Sequence, residues 1–153
     1  MNKKIRVYLP TLLYAVLLFL MSSISNLETP DLGFEFKDKV YHLGAYGIFG
    51  FLLARSGREF KDRFGKALSP IVFAAGALFA LSDEIHQYFV PGRHFELLDL
   101  AADWVGIILG QTVYGLVLRK KKARHARGMG RIGAPVSGEE HNDRSRNAGS
   151  SSP

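Results

Sequence analysis

Three short clusters hold most of the side chains in this chain with the chemistry to bind or transform something. Lys39, His42 and Tyr46 follow spacings of three and four, which sets them on one face of a helix. Asp83 and Glu84 are adjacent; Gln87 lies four residues beyond the first and three beyond the second, and His86 three beyond Asp83. Asp99 and Asp103 are four apart, and Gly106 and Gly110 continue that stripe with the small-residue spacing that lets helices approach closely. Between the last two clusters, Arg93 follows Pro91 and Gly92 in a short turn. Carboxylates beside an imidazole suit acid–base catalysis, with Glu84 or His42 as base, Asp83 orienting it and Arg93 stabilising developing charge. The same groups suit binding. Arg93 and Lys39 would hold an anionic group, and Asp83, Glu84 and Asp99 would hold those cations in place. His42, Glu84, His86 and the aspartates also offer metal-ligand types. No His-Glu-x-x-His array is present, however, and Lys39 and Arg93 serve equally well as partners, so no metal or cofactor is expected. Ser82 neighbours Asp83 without the Gly-x-Ser-x-Gly turn of a serine nucleophile.

The elements that position these groups follow from where charge is absent. No Asp, Glu, Lys or Arg occurs between Val7 and Leu27, Val40 and Ala54, Ala67 and Ser82, or Trp104 and Leu118. A bilayer-crossing helix takes about 20 mostly apolar residues. Four spans are therefore expected, at about Val7–Ser25, Asp38–Ala54, Leu68–Phe89 and Leu97–Leu118. A signal peptide is the rival reading of the first, with MNKKIR as its basic start and Ser23-Ile-Ser25 as a cleavage site; the apolar run is longer than the roughly 7–15 residues usual there. Lys and Arg alternate along the connections. The N-terminus has Lys3, Lys4 and Arg6, the first loop is mainly acidic, and the second has Arg55, Arg58, Lys61, Arg63 and Lys66. The third has only Arg93, and the tail opens Arg119-Lys120-Lys121-Lys122. By the positive-inside rule both termini are cytoplasmic. At a rise of about 1.5 Å per residue, Asp83 lies roughly 9 Å below Phe89, and Asp103 and His42 about 6 Å below Asp99 and Asp38. All three clusters then fall in one outer layer. Each charged residue within a span costs about 2.5–3.5 kcal/mol at the helix centre, so they must face one another or a wet cavity.

The expected fold is all-α: a four-helix transmembrane bundle over residues 1–118 and a cytoplasmic tail over 119–153. Only seven of the 35 tail residues are apolar, and a basic, polar segment of that kind is expected to be disordered from about Gly128. The chain has 153 residues, a net charge of +6 and no cysteine, which excludes disulfides, thiolate metal sites and a cysteine nucleophile. The charge-free blocks argue against a nucleic-acid partner despite the net charge. Membrane lipids are the expected surroundings, and the inner membrane of a bacterium the expected location.

Two stretches, DKVYHLGAY (38–46) and SDEIHQYFVPGRHFELLDLAADWVGIILG (82–110), resemble the VanZ-like family of small bacterial membrane proteins, named for a teicoplanin-resistance protein. The second is the specific one: Asp-Glu-x-x-Gln, then Pro-Gly-Arg, then Asp, then a glycine-spaced helix. The chain departs from the family pattern at Asp103, where Asn is usual. The resemblance implies a cell-envelope protein connected with susceptibility to a lipid-tailed glycopeptide, without implying a mechanism. Three functions compete. One is a binding protein whose outer polar pocket takes a lipid head group, an anionic envelope precursor or an amphipathic drug, through Lys39, His42, Tyr46, Asp83, Glu84, Gln87, Arg93, Asp99 and Asp103. Another is an intramembrane hydrolase or transferase acting on a lipid-linked substrate, its catalytic candidates being Glu84, Asp83 and His42. The third is a structural subunit with an internal charge network.

Reporter fusions after Lys37, Lys66, Glu96 and Lys122 are expected to read out, in, out, in. A cytoplasmic signal after Lys37 overturns this topology and scatters the three clusters over two surfaces.

Overall fold

A computed structural model describes residues 2–25 and 37–132. Among them are four long helices, α1 (Lys3–Ser22), α2 (Lys37–Gly57), α4 (Leu68–Tyr88) and α5 (Leu97–Ile132). Between α2 and α4 lie the single-turn helix α3 (Lys61–Phe64) and 3-10 turns at Arg58–Phe60 and Gly65–Ala67. The described residues contain no strand, so the expected helical architecture is what the chain adopts. The chain divides after Lys120 into two units, and the helix bundle lies in the first. Past the expected end at Leu118, α5 continues through a run of Lys, Arg and Ala, all good helix formers, and residues 128–132 are helical as well. The remainder of the tail expected to be disordered, from residue 133, lies outside the described residues.

The bundle is inverted relative to a water-soluble one. Leu12 (62% exposed), Leu78 (67%) and Leu109 (50%) face outward, while Thr11, Ser22, Ser56, Asp83, Glu84, Gln87, Asp99 and Asp103 are buried. Exposed apolar flanks around a polar interior are stable only where the surroundings are themselves apolar. Among the described residues, three helices are long and apolar enough to cross a bilayer: α1, α4 and α5. The expected second span coincides with α2, which is long enough at about 30 Å but not among those three. Its place in the bundle gives the reason. It packs against both α1 and α4, and Gly47 and Gly50 lie against the α5 backbone. A helix ringed by others needs no wide apolar surface.

Polar and aromatic contacts tie α1 to this central helix. The Thr11 and Ser56 hydroxyls lie 2.7 Å apart, and the Tyr14 hydroxyl donates to the Ala45 carbonyl at 3.1 Å. An apolar core of Leu18, Tyr46, Phe49, Ala80, Leu100 and Ile107 fills the middle. On α4 the buried residues Val72, Gly76, Ala80, Asp83, Glu84 and Gln87 form one stripe that is apolar at its start and ionic at its end.

The α2–α5 contact is backbone to backbone. A Cβ on Gly110 would stand 2.0 Å from the Gly47 carbonyl oxygen, one on Gly106 2.5 Å from that of Leu43, and one on Gly50 2.4 Å from that of Ile107. The glycine stripe expected to permit close approach does so, and α2 contributes its own half. Gly110→Ala is expected to cost about 1–3 kcal/mol, because backbone atoms cannot give way to the added methyl. Gly44→Ala and Gly115→Ala, with nothing within 4 Å, are expected to hold or raise stability by up to about 1 kcal/mol. Thermal melts of the purified variants in detergent check both.

Candidate functional site

At the end of the bundle where α1 and α4 finish and α2 and α5 begin, four carboxylates are buried: Asp83, Glu84, Asp99 and Asp103, the last 0% exposed. Each is met differently. Asp83 is held by neutral donors, accepting from the Ser22 hydroxyl at 2.6 Å and the Tyr46 hydroxyl at 2.9 Å. Glu84 accepts from the Gln87 amide at 3.2 Å and from the backbone N–H of Glu96 at 3.4 Å. Asp99 forms an ion pair with Lys39 at 2.8 Å, and Lys39 also bonds to Glu96. Asp103 Oδ1 lies 2.9 Å from His42 Nδ1, while its Oδ2 is buried without a hydrogen-bond partner. The same His42 nitrogen stands 4.0 Å from Glu84 Oε1.

Helical spacing explains the convergence. On α2, Lys39, His42 and Tyr46 rise along one face and meet Asp99, Asp103 and Asp83 in that order. On α5, Asp99 and Asp103 are one turn apart, so Lys39 and His42 pair with them as successive rungs. The glycine contact below holds the two helices close enough for the short aspartate side chain to reach an imidazole.

Of the nine residues expected at this end, eight join one connected set: Lys39, His42, Tyr46, Asp83, Glu84, Gln87, Asp99 and Asp103. Arg93 does not join it. Among the described residues it makes no ion pair with Asp83 or Glu84; it is half-buried, and its Nε is buried without a hydrogen-bond partner. The short turn does fold back over α4, but it meets Glu84 through the backbone N–H of Glu96 rather than through a guanidinium. Lys39 and His42, arriving from the facing helix, meet Asp99 and Asp103 instead. His86, a potential ligand by type, instead stacks on Phe19 (ring centroids 4.4 Å apart) and contacts the Ser23 hydroxyl.

Sequence reasoning missed Ser22 and Glu96. The signal for Ser22 was present, since it ends the first apolar run at the same depth as the three clusters, next to the Ser23-Ile-Ser25 stretch read as a rival cleavage site. A cleft of about 380 Å³ lined by Ser69, Phe73, Gln111 and Thr112 opens towards the other end of α4 and α5 and touches none of the charged groups.

An all-helical bundle with an apolar exterior and a carboxylate-rich interior defines a polytopic membrane protein with a buried ionic centre. The VanZ/LLP1 family matches residues 7–118, and the chain belongs to that family. Neither the curated proteins nor the solved structures contain a significant match to the chain.

Tyr46→Phe removes one of the two neutral donors to Asp83 and is expected to lower stability by about 1–3 kcal/mol, the cost of stranding a buried polar group. Asp83→Asn in the same background should recover part of that loss. A thermal melt series of the two variants and their combination checks it.

Proposed function

We propose that the ionic end of the bundle binds the polar head of a membrane amphiphile, namely a lipid head group, an envelope precursor or an amphipathic glycopeptide-type drug, and so affects antibiotic susceptibility. In this reading the chain is a bacterial inner-membrane protein with both termini in the cytoplasm and this end facing out. The observation that carries the proposal is Arg93. Asp83 and Asp99 take their contacts from Ser22, Tyr46 and Lys39, whereas the guanidinium of Arg93, in the α4–α5 turn at the same end of the bundle, pairs with none of the buried acids among the described residues and keeps a buried donor unsatisfied. A planar fork of donors at the rim of a polar centre suits a phosphate or carboxylate, which it can bind through two parallel hydrogen bonds. The surrounding apolar flanks would accommodate the acyl chains of such a molecule.

A second reading is favoured by one contact. His42 and Asp103 at 2.9 Å, with Glu84 beyond, form an imidazole–carboxylate pair of the sort that activates a nucleophile. An intramembrane hydrolase or transferase acting on a lipid-linked substrate would use it.

Arg93→Ala is expected to leave the melting temperature near that of the wild type, because no internal ion pair is lost, and to abolish retention of anionic lipid by protein purified into nanodiscs of mixed anionic and zwitterionic phospholipid. Arg93→Lys should retain part of it, since a point charge replaces a fork. Wild-type lipid retention by Arg93→Ala overturns the binding reading. An enzyme would instead lose its cellular phenotype on Glu84→Gln while still inserting and folding.

A further inference from the structure

From the geometry of His42, Glu84 and Asp103 we infer a binding site for one divalent transition-metal ion of the zinc type. One ligand atom from each residue lies within 4.8 Å of those of the other two. The His42 nitrogen already stands 2.9 Å from Asp103 Oδ1 and 4.0 Å from Glu84 Oε1. Around a tetrahedral zinc ion, with bonds of about 2.0–2.2 Å, neighbouring ligand atoms are about 3.3–3.6 Å apart. Small side-chain rotations that open the His42–Asp103 contact and bring Glu84 nearer supply the difference.

Two independent observations point the same way. Asp103 is wholly buried, yet one of its oxygens has no hydrogen-bond partner, an arrangement that costs about 1–3 kcal/mol unless something fills it. The charge balance is also unfinished. Lys39 is committed to Glu96 and Asp99, and Asp83 is held by two hydroxyls, which leaves Glu84 and Asp103 facing a single imidazole. A divalent cation neutralises both carboxylates, where a protonated His42 can offset only one. The objection that Lys39 and Arg93 serve equally well as partners falls away, because neither pairs with these two carboxylates among the described residues.

The donor set narrows the ion. An imidazole nitrogen with two carboxylates is a poor cage for magnesium or calcium, which favour all-oxygen ligands, and a good one for zinc or manganese. Groups that can orient a ligand are in place, since Glu84 accepts hydrogen bonds from the Gln87 amide and the Glu96 backbone N–H. Three protein ligands leave one coordination position open to an exogenous group. The inference does not depend on what amphiphile the pocket takes, and its test uses metal alone.

Full-length protein in detergent, stripped with a chelator and then equilibrated with Zn²⁺, should retain one equivalent per chain after desalting. Zn²⁺ should raise its melting temperature and Mg²⁺ should not, while Co²⁺ should give visible absorption bands of a low-coordinate site. Glu84→Gln and Asp103→Asn, each close in shape to the original, should weaken Zn²⁺ binding by at least about 10-fold, the scale that even outer-shell changes reach. A wild type that retains no Zn²⁺ overturns the proposal whatever the variants do. Wild-type retention by either variant that still melts cooperatively without metal also overturns it, because the ion is then held elsewhere, for instance by His94 or His125. Either variant alone suffices if the other fails to fold.

Discussion

Taking four carboxylates out of water within a few turns of one another is the constraint that organises this bundle. Each ionised group so placed costs several kcal/mol that packing cannot return, so every neighbouring element is shaped to meet one of them. The end of α1 brings Ser22 to Asp83, and the start of α2 brings Lys39 to Asp99 and His42 to Asp103. The α4–α5 turn brings a backbone amide to Glu84. Elsewhere the helices could slide by a residue with modest loss. At this end a slide would strand charge, and the register of all four helices is fixed there.

That arrangement works only because α2 and α5 touch along their backbones. Aspartate has a single methylene, so Asp103 meets His42 only if the two helix axes are unusually close. Gly47 and Gly50 on one side, with Gly106 and Gly110 on the other, remove the side chains that would hold them apart. Glutamate on α4 has one more carbon, and its helix presents Gly76 and Ala80 rather than a glycine pair. Asp83 on the same helix keeps the short acid and is met by the hydroxyl of the long Tyr46 side chain, so the reach across each gap is shared between the acid and its partner.

Most of this architecture was legible in the sequence because membrane insertion imposes a coarse code. Charge-free blocks gave the helices, and helical spacing gave the faces of Lys39–His42–Tyr46 and Asp99–Asp103. Depth counting gave one common polar layer. The pairing within that layer was less legible. Arg93 looked like the natural partner of Asp83 and Glu84, since both acids need compensation and the turn is short. Spacing along a chain does not say which atom of a turn arrives first, and here it is the Glu96 N–H. Ser22 was hidden for a related reason, as a hydroxyl carries no distinctive signature until the acid it serves is known. The extension of α5 beyond Leu118 was missed because charge marks where a span ends and not where a helix does.

The central position of α2 has a consequence for biogenesis. A segment that opens with Lys37, Asp38, Lys39 and His42 and is interrupted by three glycines gains little by leaving the translocation channel for lipid alone. Its favourable surroundings are other parts of the same protein: the hydroxyls of α1, the α4 carboxylates and the α5 glycines. Such a segment is expected to enter the bilayer only in company, as one arm of a hairpin with α1 or once α4 and α5 have emerged. Folding and insertion are then expected to be coupled for α2 rather than two stages in succession.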